Sequence, residues 1–102
     1  MKWIEIIKIQ AASDQGTALE NELTMLVHMV EKHADSQDLT KIGFYRHGTI
    51  PGCFAIHLRW ESRSFERQGS KTALSLIQSL QRFGLIYHSV WIEKEEKQLW
   101  KL

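Results

Sequence analysis

The run Pro51-Gly52-Cys53-Phe54-Ala55-Ile56-His57-Leu58-Arg59-Trp60-Glu61-Ser62 decides the fold. It opens as a turn, because proline fixes φ and glycine tolerates positive φ. From Cys53 to Glu61 it alternates with the period of a strand. Phe54, Ile56, Leu58 and Trp60 share one face, and Cys53, Ala55, His57 and Arg59 share the other. The alternation breaks at Ser62. Ser62 or Ser64 can cap a short turn through Phe65 and Glu66, and Gly69-Ser70 offers a second cap. Ala73, Leu76, Ile77, Leu80 and Phe83 then recur at helical spacing, with Gly84 as the stop.

Working outward, Thr40–His47 reads as a strand and Gly48–Gly52 as its turn, so the two strands form a hairpin. Ile42, Phe44 and Arg46 oppose Gly43, Tyr45 and His47. Further upstream, Leu19, Leu23, Leu26, Val27 and Val30 mark the buried stripe of a helix. Ser13 and Asp14 supply its N-cap chemistry, and it ends near Ala34. Before it, Trp3–Gln10 is an Ile-rich strand with Trp3, Glu5, Ile7 and Ile9 on one face and Ile4, Ile6, Lys8 and Gln10 on the other. At the far end, Leu85–Glu93 is a fourth strand, with Leu85, Tyr87, Ser89 and Trp91 opposing Ile86, His88, Val90 and Ile92. A charged tail follows, carrying apolar Leu99, Trp100 and Leu102 that suit a docking contact, a partner subunit among the candidates.

The order β-α-β-β-α-β over residues 1–102 describes one α+β domain of ferredoxin-like type. Its sheet is antiparallel, with both helices on one face. The other face should then read polar, yet strands one, three and four are polar throughout on neither side. A second sheet covering that face, as in a homodimer whose sheets form a barrel, satisfies the pattern.

Composition narrows the partners. A formal net charge of +1 with interspersed charges argues against a dedicated nucleic-acid or acidic-membrane surface. The third strand also lacks the leading basic residue and alternate exposed aromatics of RNA-recognition domains. Glu5 and Lys8 interrupt any secretory h-region, and no apolar run reaches the roughly 20 residues that span a bilayer. Cys53 is the single cysteine, which excludes an intrachain disulfide and suits a reducing cytoplasm.

Gly52–Ser62, Phe65, Gly69-Ser70 and Gly84-Leu85-Ile86-Tyr87-His88-Ser89-Val90-Trp91 together resemble the antibiotic biosynthesis monooxygenase-like superfamily of dimeric α/β barrels. The resemblance covers nearly the whole chain and implies a homodimer. In enzymatic members it implies oxygenation of aromatic, quinol-like or polyketide substrates without metal or organic cofactor. Haem-degrading relatives use an Asn on the first strand, the Trp ending the third strand and a His about ten residues later. Trp60 matches, but the first strand has no Asn and position 70 is Ser.

Candidate chemistry lies on the strands. His57 and Arg59 share a face, so His57 suits a general base and Arg59 suits stabilisation of the oxyanion it produces. Interface hydrogen bonding is the bland account of the same pair. His88, flanked by Ile86 and Val90, is a third catalytic candidate or a hydrogen-bonded core histidine. Tyr45, Trp60 and Trp91 are candidates to bind an aromatic ligand, with edge exposure or ordinary packing as the alternative. No metal site is expected: His28 and His33 stand about 140° apart around a helix, and His47 and His57 lack an accompanying carboxylate or cysteine cluster. The alternative to an enzyme is a non-catalytic dimer that binds a small ligand or simply assembles.

Overall fold

A computed structural model describes residues 1–33 and 38–100. The Ile-rich N-terminus forms strand β1 (Lys2–Ala11), followed by helix α1 (Gly16–His33). The hairpin strands are β2 (Leu39–Arg46) and β3 (Cys53–Glu61). Helix α2 (Lys71–Leu80) runs through a single 3₁₀ turn, Gln81–Phe83, into β4 (Gly84–Ile92). All pairings are antiparallel, in the order β2-β3-β1-β4, so the expected ferredoxin-like architecture is the observed one. No helix among the described residues is long and apolar enough to cross a membrane.

Register follows from the alternation. Trp3 pairs with Trp60, Glu5 with Leu58 and Ile7 with Ile56 across β1 and β3. On the other side Glu5 pairs with Val90 and Ile7 with His88. One sheet face therefore presents Trp3, Ile7, Ile9, Phe54, Ile56, Leu58 and Trp60 to the helices, all of them buried. From the helices, Leu19, Leu23, Ala73, Leu76 and Leu80 complete this core. Trp3 and Trp60 stack with ring centroids 5.3 Å apart and planes 15° from parallel. Such a pair contributes about 0.5–1.5 kcal/mol beyond its burial.

The turns differ from expectation in three places. Ser13 and Asp14 lie in a turn closed by the Gln15 amide on the Ala12 carbonyl (2.9 Å), and α1 begins beyond them at Gly16. The Gln15 carbonyl accepts the Leu19 amide and so takes the capping position that the sequence chemistry favoured for Ser13 or Asp14. Its other end, expected near Ala34, lies outside the described residues. Gly84 is not a left-handed helix stop, since its φ is 164° and its backbone is extended. Its glycine is required by proximity instead: a Cβ there would run into the Gln10 carbonyl of β1. Finally, the short turn expected through Phe65 and Glu66 lies slightly later, closed by the Gly69 amide on the Glu66 carbonyl (3.0 Å) within an otherwise irregular loop over residues 62–70.

Ser70 does cap α2 as expected, its Oγ accepting the Ala73 amide at 3.0 Å. Ser70→Ala should lower the unfolding free energy by about 1 kcal/mol while keeping the fold. Urea denaturation followed by Trp fluorescence measures it, and an unchanged midpoint would show the cap to be dispensable.

Candidate functional site

One charged side chain violates the pattern of the core. Glu5 stands between Trp3 and Ile7 on the helix-facing side of β1, with no exposure to solvent. An unpaired carboxylate there would cost several kcal/mol. Three donors converge on it instead. The Trp60 indole Nε1–H donates to Oε1 at 2.9 Å, and the Ser70 backbone N–H donates to Oε2 at 3.0 Å. His88 Nε2 lies 2.8 Å from the same Oε2. The carboxylate thus ties β3, β4 and the N-terminus of α2 to the central strand. The positive end of the α2 dipole adds to its stabilisation.

Gly69 makes room for this cluster. Its φ is +105°, in the region that glycine alone adopts easily. A Cβ there would stand 2.5 Å from His88 Cε1 and 3.4 Å from Glu5 Oε2. Position 69 is therefore a glycine for two separate reasons, backbone conformation and the closeness of the imidazole.

Beside the cluster, an open cleft of about 500 Å³ is lined by Trp3, Trp60, Ser62, Arg63, Ser70 and Lys71, among others. Both tryptophans are almost fully buried, so only their margins reach the cleft. Trp3 Nε1 donates to Ser62 Oγ (2.8 Å), and Ser62 Oγ donates to the Ser64 carbonyl (2.7 Å), which fixes this wall. Further along the sheet, Phe54, Ile56 and Leu58 are buried and fill the space under the helices. This cleft lies at the Trp3–Trp60 end, and another of about 480 Å³ lies at the opposite end, between α1 and the β2–β3 turn.

The residues anticipated from sequence fall into two groups on opposite faces of the sheet. Trp60 and His88 meet at Glu5, on the helix side. Tyr45, His57, Arg59 and Trp91 lie on the face the helices do not cover, so the anticipated trio of His57, Arg59 and His88 is not brought together. Tyr45 and His57 rings sit 4.7 Å apart, and Arg59 lines a small surface cleft with Trp60, Glu61, Glu93 and Glu96. Trp91 is half exposed and donates its indole N–H to Ser89 Oγ at 2.8 Å. Desolvation, reinforced by the Arg59 charge, holds the His57 pKa below the usual imidazole value of 6.5.

Glu5 is the one member of this cluster, besides the Ser70 amide, that residue type alone does not mark as a site candidate. Its face-mates Trp3, Ile7 and Ile9 already implied burial, and a carboxylate among buried apolar residues requires partners. The partners themselves lie 55, 65 and 83 residues away and become apparent only in the fold.

No family model and no curated protein matches the chain. Solved structures do. Rv0793 from Mycobacterium tuberculosis superposes with a TM-score of 0.72 at 16% identity, over 96% of this chain and 100% of that one. A variant of SnoaB, a cofactor-independent oxygenase from Streptomyces nogalater, gives 0.69 at 8% identity over 93% and 95%. A structure named antibiotic biosynthesis monooxygenase gives 0.64 at 13% identity over 95% and 100%. The chain therefore has the fold of these monooxygenases, as the resemblance in its sequence implied.

Two expectations follow. Trp60→Phe removes one donor from Glu5 together with the pyrrole half of a buried ring, so it should cost at least about 1–3 kcal/mol of unfolding free energy. A loss within about 0.5 kcal/mol would show the bond to be dispensable. For His57, the unfolded chain takes up the proton first as pH falls. Stability should therefore decline from about pH 6.5 downward through the folded-state pKa. His57→Gln should flatten that decline between about pH 5 and 8, and superimposable profiles of urea midpoint against pH would contradict it.

Proposed function

We propose that the chain is a small cofactor-independent oxygenase acting on an electron-rich aromatic, quinol-like or polyketide substrate. The observation that carries this reading is the cleft of about 500 Å³ at the stacked Trp3–Trp60 pair, beside a buried, fully hydrogen-bonded carboxylate. Its volume falls within the range of small-molecule sites, and aromatic margins next to a few fixed polar groups suit a planar ligand. SnoaB, which shares the fold, is itself a cofactor-independent oxygenase. The chemistry requires only that a base ionise the substrate, because an electron-rich carbanion or phenolate reduces dioxygen directly.

The functional unit of this reading is a homodimer. Leu85, Tyr87 and Trp91 of β4 and Tyr45 of β2 are each about half exposed or more, on the face opposite the helices. Ile4 and Ile6 lie between them on β1 and are only partly buried. An apolar sheet face of this kind is covered well by the same face of a second copy. His57 and Arg59 then lie within the contact, where the neutral imidazole avoids a buried charge.

A second reading, a non-catalytic dimer that binds a small ligand, is favoured by one feature. The layer between sheet and helices is filled by Phe54, Ile56 and Leu58, leaving the cleft open at one end. Oxygen-electrode measurements with dithranol, a dihydroxyanthrone, separate the two. The oxygenase should consume oxygen well above the uncatalysed rate and sediment as a dimer at micromolar concentration. Thermal stabilisation by dithranol without oxygen uptake would leave the ligand-binding reading, and a monomer would contradict the covered sheet face.

A further inference from the structure

We infer that the cleft at the Trp3–Trp60 end selects a planar aromatic ligand that carries a carboxylate, with Arg63 and Lys71 holding the acid group. The inference rests on the aromatic-ligand reading of this cleft and adds the charge that the ligand carries. Trp3, Trp60, Arg63 and Lys71 all line the cleft. The tryptophans are buried, whereas Arg63 and Lys71 are exposed. The cleft therefore runs from a charged mouth to an aromatic floor, which suits a ligand with rings at one end and an ionised group at the other.

The neutral polar groups of the wall are largely committed. Both indole N–H groups are in use, Trp3 on Ser62 Oγ and Trp60 on Glu5. An indole has no other donor, so the two rings offer only their apolar margins. Ser62 Oγ also donates to the Ser64 carbonyl, and Ser70 Oγ accepts the Ala73 amide. What remains for a polar substituent is charge.

That charge is positive. The segment from Ser62 to Lys71 carries Arg63, Arg67 and Lys71. Arg67 lies over the Phe65 ring, 5.8 Å from its centroid. Neither the Arg63 nor the Lys71 side chain forms a salt bridge or hydrogen bond among the described residues. Of the acids on the same wall, Asp38 has a partner of its own, and Glu66 is left opposite two cations. A guanidinium matches a carboxylate with two parallel N–H donors, and an ammonium adds a compact point charge. One exposed ion pair is weak, but two cations on a single anion beside an apolar floor bind it selectively.

Titration with 2-naphthoate, 2-naphthamide and 2-naphthylmethylammonium, followed by NMR of the indole N–H groups, tests the assignment. Naphthoate should move the Trp3 and Trp60 resonances and leave those of Trp91 and Trp100 in place. At low ionic strength it should bind about tenfold more tightly than naphthamide, with the ammonium compound weakest. Arg63→Gln and Lys71→Gln should each narrow the gap between naphthoate and naphthamide about threefold or more. Both side chains are exposed, so the unfolding midpoints should stay at the wild-type value. Glu66→Gln should widen the gap. Equal affinities for naphthoate and naphthamide, tightest binding of the ammonium compound, or no binding at Trp3 and Trp60 would each overturn the inference. Dithranol has no acid group, so its oxidation reports on the oxygenase reading separately. Oxygen uptake with equal naphthoate and naphthamide affinities would overturn acid recognition alone. Naphthoate selectivity without uptake would support acid recognition and leave the cleft as a binding site.

Discussion

A buried carboxylate constrains this fold more than any apolar contact does. Glu5 has no access to water, so every hydrogen bond it needs must come from the protein. Those bonds come from the end of β3, from the first residue before α2 and from the middle of β4. None of the three elements can shift without taking a hydrogen bond from a desolvated carboxylate, a penalty of about 1–3 kcal/mol. The loop from Ser62 to Ser70, which has no regular structure of its own, is anchored at its far end by this bond and by the Ser70 cap. The position of α2 over the sheet thus combines this polar contact with burial of Ala73, Leu76 and Leu80.

Strand alternation gives the sheet two contrasting faces. On the helix side, tight packing of Ile7, Ile9, Ile56 and Leu58 fills the middle of the layer and leaves an open cleft at the Trp3–Trp60 end. The polar cluster borders that space, which places preorganised charge next to the cleft. On the opposite side, Tyr45, Tyr87 and Trp91 stand beside His57 and Arg59 with no helix above them. Apolar residues stand on both sheet faces, and the helices cover one of them.

Much of the architecture was legible from alternation alone, because a strand's period of two assigns every side chain to a face. The facing sets of β1, β3 and β4 came out as read, as did the hairpin and the Ser70 cap. Local chemistry misled where two residue types could serve equally well. Ser13 and Asp14 have good capping side chains, yet α1 starts beyond them at Gly16, and Gly84 is a glycine for closeness to β1 and not for a left-handed turn. Of the candidate site residues, Trp60 and His88 were named for chemistry they could perform singly. What joins them was not legible, because Glu5 looked like a polar interruption in a short strand and its partners are remote in sequence. Residue type pointed equally to His57 and His88. Only the fold shows that the first faces an open surface and the second a sealed carboxylate.

The tautomer of His88 tests the role of Glu5 most directly. Nitrogen NMR of the imidazole, recorded where the ring is neutral, distinguishes the two forms. With Glu5 as acceptor, Nε2 carries the proton and Nδ1 is bare. A neutral ring protonated at Nδ1, with Nε2 unprotonated, would mean that Glu5 does not accept from His88 and that the cluster is organised in another way.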